Sequence, residues 1–188
     1  MSKVDRRIIK SQEAIKKALI ELMIEKKIDQ ITIQEISDRA NVSRRTIYLH
    51  YIDKFDLLDK LMEEHINELR KLCELAANNT VFYDAVLLWF EYFESHYLFF
   101  STMLANQGGP FFHSRFLEFV LQELKNVENI TEVDSQGLSD GDGDAEDVFI
   151  QFFGAAIVGV VEWWFKNGKP SPPHYMAQRV GALLERNL

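Results

Sequence analysis

Arg44 and Arg45, followed closely by Thr46, Tyr48 and His50, are the residues of this chain whose types and spacing best suit chemistry. A guanidinium donates two parallel hydrogen bonds, a fork that matches the O6 and N7 acceptors of guanine in the major groove of DNA. Tyr48 and His50 can donate to phosphate, Ser43 and Thr46 add hydroxyls, and Lys54 stands where it could reach a flanking phosphate. Thr32 and Gln34, from the segment just upstream, complete the candidate DNA-binding set. A basic cluster alone reads equally well as a solvated face. The elements that would present it therefore decide its meaning.

From Ile15, apolar residues recur at Ile15, Ala18, Leu19, Leu22 and Met23, the spacing of one helix face, so a first helix is predicted that fades near residues 26–29. Thr32 and Glu35 form a T-x-x-E capping box that opens a second helix with inner positions Ile33, Ile36, Ser37 and Ala40. That helix stops at Asn41, a residue that tolerates the left-handed conformation of a tight turn. Ser43 can cap a third helix near residues 43–50, in which Ile47 and Tyr51 are spaced to pack inward. With only Asn41 and Val42 between them, the two helices must cross sharply, as in a helix-turn-helix. Asp53 caps a longer fourth helix with the inner stripe Leu58, Leu61, His65, Leu69 and Leu72.

The 188 residues are 47% hydrophobic with nine glycines and four prolines, which excludes a disordered or collagen-like chain. Net charge is −8, but it is unevenly spread. Residues 1–50 hold eleven Lys/Arg against seven Asp/Glu, a net of +4, while the remainder holds ten against twenty-two, a net of −12. A basic head on an acidic body suits a head that meets an anion. The opening MSKVDRRIIK lacks the apolar stretch of a secretory signal, and no apolar run reaches the eighteen or so residues of a membrane span, so a cytoplasmic protein is expected. The single cysteine, Cys73, allows no internal disulfide and reads as a small buried hydrophobe.

Beyond residue 80 the body is rich in aromatics at helical periods, interrupted at Gly108, Gly109 and Pro110. Residues 131–147 are acidic and nearly free of large apolar groups, the composition of a mobile loop. An apolar block over 148–165 and a last amphipathic helix follow. Neither strand alternation nor an internal repeat is visible. Counting an EF-hand from Asp140 puts Ala145 where glycine is required and Gln151 where a bidentate Glu is required, so the calcium reading fails. The five histidines show no paired ligand spacing, no cofactor motif is present, and no G-x-S-x-G, Walker or G-x-G-x-x-G motif suggests an enzyme.

The stretch from Ala14 to Leu58 resembles the amino-terminal domain of TetR/AcrR-type bacterial regulators, through Thr32, Ile36, Ala40, Val42, Ser43, Thr46, Tyr48, Lys54 and Leu57 or Leu58. Asn41 stands for the usual glycine, Tyr51 for Phe, Leu49 where an aromatic or His is common, and Phe55 at a frequently acidic position. The carboxy-terminal stretch is similar to a TetR subgroup of Gram-positive bacteria that includes dihydroxyacetone-kinase operon regulators. The resemblance implies an all-α protein of about nine helices, with a helix-turn-helix head over 1–53 and an effector-binding and dimerisation body over 54–188. It further implies a homodimer that binds a near-palindromic operator in double-stranded DNA, most often as a repressor.

Pairing through the last two long helices would use Gly154, Ala155, Val158, Gly159, Met176, Val180, Leu183 and Leu184, the small residues permitting close approach. An apolar or aromatic small-molecule effector would be lined by Trp89, Phe93, Tyr97, Phe116, Phe152 and Trp163. Aromatics at helical spacing also make plain cores, so two rivals stand: a regulator that answers to a protein partner, and a helical enzyme, which no acid–base pair or nucleophile supports.

Overall fold

The computed structural model describes residues 3–76, 82–105, 109–126 and 143–186 of the 188-residue chain. Nine α-helices occur among the described residues. They are α1 (Lys3–Glu25), α2 (Ile33–Ala40), α3 (Arg44–Tyr48), α4 (Lys54–Ala76), α5 (Phe82–Ser95), α6 (Tyr97–Phe100), α7 (Gly109–Lys125), α8 (Gly143–Lys166) and α9 (Pro173–Glu185). A 3-10 turn (Ile28–Gln30) joins α1 to α2, and a π-helical segment (Ser101–Ala105) follows α6. The all-α architecture is the one the helical periods imply.

The head closes around Ile15, Leu19, Met23, Ile36, Ile47 and Leu57, all fully buried. Each such side chain contributes on the order of 1.5–3 kcal/mol when taken out of water. The capping box forms as expected. Thr32 Oγ1 accepts from the Glu35 N–H at 3.2 Å, and Glu35 Oε2 accepts from the Thr32 N–H at 2.9 Å. Lys26 also pairs with Glu35. That ammonium first, and Thr32 second, hold the Glu35 carboxyl down at about 2. Arg39 reaches back from α2 to Glu25 at 2.9 Å and Glu21 at 3.8 Å, tying it to α1.

Head and body meet along α4. Lys16 of α1 pairs with Glu64, and the next residue, the buried His65, binds the Tyr92 hydroxyl of α5 through Nδ1 at 2.7 Å. Its ring stacks on Phe99 at 3.8 Å. Burial, reinforced by the nearby charges of His96 and Lys16, pushes the His65 pKa down to about 3, so the imidazole is neutral at physiological pH. Around Phe93 the rings of Trp89, Phe90, Phe100, Phe116 and Phe165 meet at centroid distances of 4.8–6.3 Å. Cys73 lies partly buried, its thiol pushed up to about 12 chiefly by burial, which leaves it protonated and inert.

Several expectations change in the body. Residues 143–147, expected within a mobile loop, form the start of α8. Asp147 pairs with Lys125 of α7 at 3.0 Å. The rest of that predicted loop lies outside the described residues, as do Gly108 and residues 140–142 of the acidic run. Asp147–Lys166 of α8 is, by length and composition alone, long and apolar enough to cross a membrane, although no such span was expected. Here the helix packs on α7, and Glu162 accepts from His113 of α7 at 2.5 Å, so it belongs to the bundle.

The proposed pairing surface is also redrawn. Gly154 faces α7, where an added Cβ would fall 2.5 Å from Leu121 Cδ2, so its smallness serves packing within the chain. Val158 is buried, and Met176, Val180 and Leu184 are buried where α9 lies along α5. Ala155, Gly159 and Leu183 are exposed. Phe152 and Trp163, expected in a pocket, are 67% and 50% exposed on α8. Helix period explains the exchange. Residues 148, 152, 155, 156, 159 and 163 fall on one stripe, and 154 and 158 fall on the opposite one.

Candidate nucleic-acid interface

The α2–turn–α3 unit is set by local bonds. Asn41 adopts φ 52° and ψ 47°, the left-handed conformation that ends α2. A β-branched residue there would cost roughly 1–2 kcal/mol. The buried Ser37 hydroxyl donates to the Val42 carbonyl at 2.6 Å, which ties the turn to the helix before it. Ser43 caps α3, accepting from the Thr46 N–H at 3.1 Å, while the two hydroxyls lie 2.9 Å apart. Ile47 and Tyr51 anchor the far side, both buried. Burial first, with Glu64 and Asp56 adding to it, pushes the Tyr51 phenol up to about 12, so its buried ring stays neutral. Helix α3 covers Arg44–Tyr48, shorter than expected, with Leu49 as its C-cap.

The nine candidate residues separate into two groups. Arg44 and Arg45 are exposed and form no ion pair among the described residues, whereas Lys16, Lys17, Lys26 and Arg39 of the same head each pair with a carboxylate. Tyr48 is 57% exposed beside them. His50 is half-buried next to Tyr51, its carbonyl taken by Lys60 at 3.2 Å. The others are engaged locally. Thr32 serves its capping box, Ser43 and Thr46 serve the α3 cap, and the Gln34 amide donates to Asp38 at 2.7 Å.

Lys54 is engaged within the chain. Expected to reach phosphate, its ammonium donates instead to the carbonyls of Asp29 and Ile31, both at 2.7 Å. The connection between α1 and α2 leaves those carbonyls free at the start of α4, and a cation is the natural donor to fill them. Asp53 caps α4 as expected, accepting from the N–H groups of Phe55 and Asp56 at 2.8 Å. Missed in the sequence was Leu49, 70% exposed at the end of α3, and on the body Val148 and Ala156, which share the exposed α8 stripe with Ala155 and Gly159, expected to pair, and with Phe152 and Trp163, expected in a pocket. The spacing of that stripe was legible, but a helix apolar on nearly all sides hides which stripe turns outward.

Two family models match the chain. One described as bacterial regulatory proteins of the tetR family covers residues 15–61. The other, described as a transcriptional regulator C-terminal region, covers residues 80–186. An uncharacterized HTH-type transcriptional regulator, YxbF of Bacillus subtilis (strain 168), is 26% identical over 184 residues, 94% of this chain. The chain spans 45% of the length of that relative. Among solved structures, a TetR transcriptional regulator from Streptococcus agalactiae 2603V aligns with a TM-score of 0.68 at 25% identity, covering 96% of each chain. The dihydroxyacetone kinase operon activator DhaS aligns at 0.64 and 19% identity, covering 94% of each chain, a likeness of fold. With a capped α2–turn–α3 unit presenting two unpaired arginines, and family models covering both its head and its body, the chain belongs to the TetR family of bacterial transcriptional regulators.

Proposed function

We propose that this chain binds a specific operator as a homodimer and represses transcription until an effector acts on the body. Residues 1–53 serve as the DNA-binding head and 54–188 as the regulatory body. The observation that carries this reading is the pair of free guanidinium groups, Arg44 and Arg45, beside Tyr48 on the outer face of a helix whose other face is locked into the core. Arg6, Arg7, Lys10 and Lys27 of the head are likewise exposed without a carboxylate partner among the described residues, so what marks Arg44 and Arg45 is their place on the outer face of α3, where a guanidinium is open to an external anion. Arg45 and Arg44 enter the major groove, where a bidentate contact to guanine is worth about 1–3 kcal/mol. The locally engaged Thr32 and Ser43 hold the helix ends toward the phosphates.

A second copy covers the α8 stripe of Val148, Phe152, Ala155, Gly159 and Trp163, joined by Leu183 of α9. Its support is that only 33% of the apolar Asp147–Lys166 window is buried within one chain, and large exposed apolar stripes on a water-facing helix call for a covering surface. Members of this family bind DNA and act as dimers. Two α3 helices spaced about 34–36 Å apart then meet successive major grooves of a near-palindrome. A protein of this kind works in the cytoplasm.

Effector control finds support at Trp89. Its indole N–H is buried with no nitrogen or oxygen partner among the described residues, and the poorly accepting Cys73 sulfur stands beside it. A small apolar molecule carrying an acceptor would satisfy that donor beside Phe93 and Phe116, whose rings neighbour Trp89. A second reading, control by a protein partner, draws on a specific observation too. Phe93, Phe100, Phe112 and Phe116 are fully buried against one another, as in a filled core.

Fluorescence anisotropy with the DNA upstream of the gene, at several salt concentrations, tests the main reading. Specific binding at least about a thousandfold tighter than to random DNA is expected, and Arg45→Ala reduces that margin tenfold or more. Equal affinity for both duplexes defeats it. Thermal melting across a metabolite library separates the two modes of control, since a pocket gains stability from its ligand.

A further inference from the structure

Leu49 places a large aliphatic side chain, 70% exposed, on the same surface as the free arginines. A lone exposed leucine is ordinary. This one is not lone in position. Its N–H bonds the Arg45 carbonyl at 3.1 Å, which fixes it one helical turn beyond Arg45. The two side chains therefore share a face, with Cβ atoms about 5–6 Å apart. Arg44 and Tyr48 stand in the same relation along the neighbouring row. The exposed surface of α3 thus pairs each cation with an apolar or aromatic group one turn on.

Resting on the operator-binding reading above, we infer that Leu49 is a specificity-determining residue that reads the C5-methyl group of thymine. In the major groove thymine is the base that displays a methyl group. Leu49 has no donor or acceptor, so a cytosine amine or a guanine carbonyl pressed against it would lose its water without replacement. The anionic duplex is the occupant that the surroundings fit, because Arg44 and Arg45 flank the leucine with unpaired positive charge. Spacing adds a constraint. A separation of about 5–6 Å spans fewer than two base-pair steps of roughly 3.4 Å, so the thymine lies within two base pairs of the guanine met by Arg45. Ile52, 79% exposed but beyond α3 with its N–H held by Asp56 at 2.9 Å, lies off that row and serves as the comparison.

The test uses the full-length protein. Duplexes are selected from a random pool, and each thymine of the selected half-site is then replaced by deoxyuridine, which removes only the methyl. One position within two base pairs of the Arg45-dependent guanine should weaken wild-type binding about fourfold, the equilibrium factor for one buried methyl group, and about fifteenfold when changed in both half-sites. Leu49→Ala should be indifferent to that replacement, while Ile52→Ala should respond as the wild type does. Because Leu49 is exposed, its truncation leaves the fold intact, which melting confirms. A selected site without thymine there, or a deoxyuridine penalty equal in wild type and Leu49→Ala, overturns the inference alone. A pool without any enriched sequence overturns the operator-binding reading, and this inference with it.

Discussion

Replacing His65 and Tyr92 together by phenylalanine removes the 2.7 Å hydrogen bond between α4 and α5 while keeping both rings in their aromatic surroundings. Losing both partners at once leaves neither group unsatisfied. The consequence is a change in how stability depends on pH. In the fold His65 is held neutral down to about 3, against an ordinary value of 6.5 that the unfolded chain regains. Between those values the unfolded state binds the extra proton, so stability falls as pH drops through 6.5 toward 3. From pH 7 to pH 5 the loss is about 2 kcal/mol. Glu35, Asp56 and Glu162, whose carboxyls sit below their ordinary values, lose their stabilising contribution only at lower pH. Glu123, pushed upward by burial, works in the opposite direction but is common to both proteins. Urea unfolding followed by circular dichroism, at pH 7 and pH 5 and one protein concentration, measures the difference. The wild type should lose about 2 kcal/mol more than the double variant across this range. Equal losses in the two proteins would refute a neutral, buried His65 at the junction of head and body.

Gly154→Val should lower the melting temperature through a clash with Leu121, an overpacking cost of about 1–3 kcal/mol. An unchanged melting temperature with a lost dimer would return Gly154 to the pairing surface. Phe152→Asp combined with Trp163→Asp should raise the dimer dissociation constant at least about tenfold, the effect of burying unpaired charge on the α8 stripe. Sedimentation equilibrium reads this, and an unaltered mass at low protein concentration sinks the pairing proposed for α8. Lys54→Met should cost about 1.5–3 kcal/mol of stability by freeing the Asp29 and Ile31 carbonyls. It should leave the slope of log affinity against log salt unaltered, and a slope lower by about 0.9 per site would show that Lys54 holds phosphate after all.

What the sequence determined by itself is the head. Its decisive interactions span four residues or fewer: Thr32 with Glu35, Ser43 with Thr46, Asp53 with Asp56, and the left-handed Asn41 between two short helices. Such bonds are written in neighbouring letters, and the stripe from Ile15 to Met23 has one apolar face and hence one way to turn. Arg44, Arg45 and Tyr48 follow as the outward face of α3 from the same logic. The tertiary structure alone decided the body and the fate of Lys54. Helix α8 is apolar almost all round, so spacing could not say whether Gly154 or Gly159 faces a neighbour, and contact with Leu121 of α7 settles it. Lys54 finds its carbonyl partners more than twenty positions away, at a distance in sequence where local pattern carries no information and only chain packing brings donor and acceptor together.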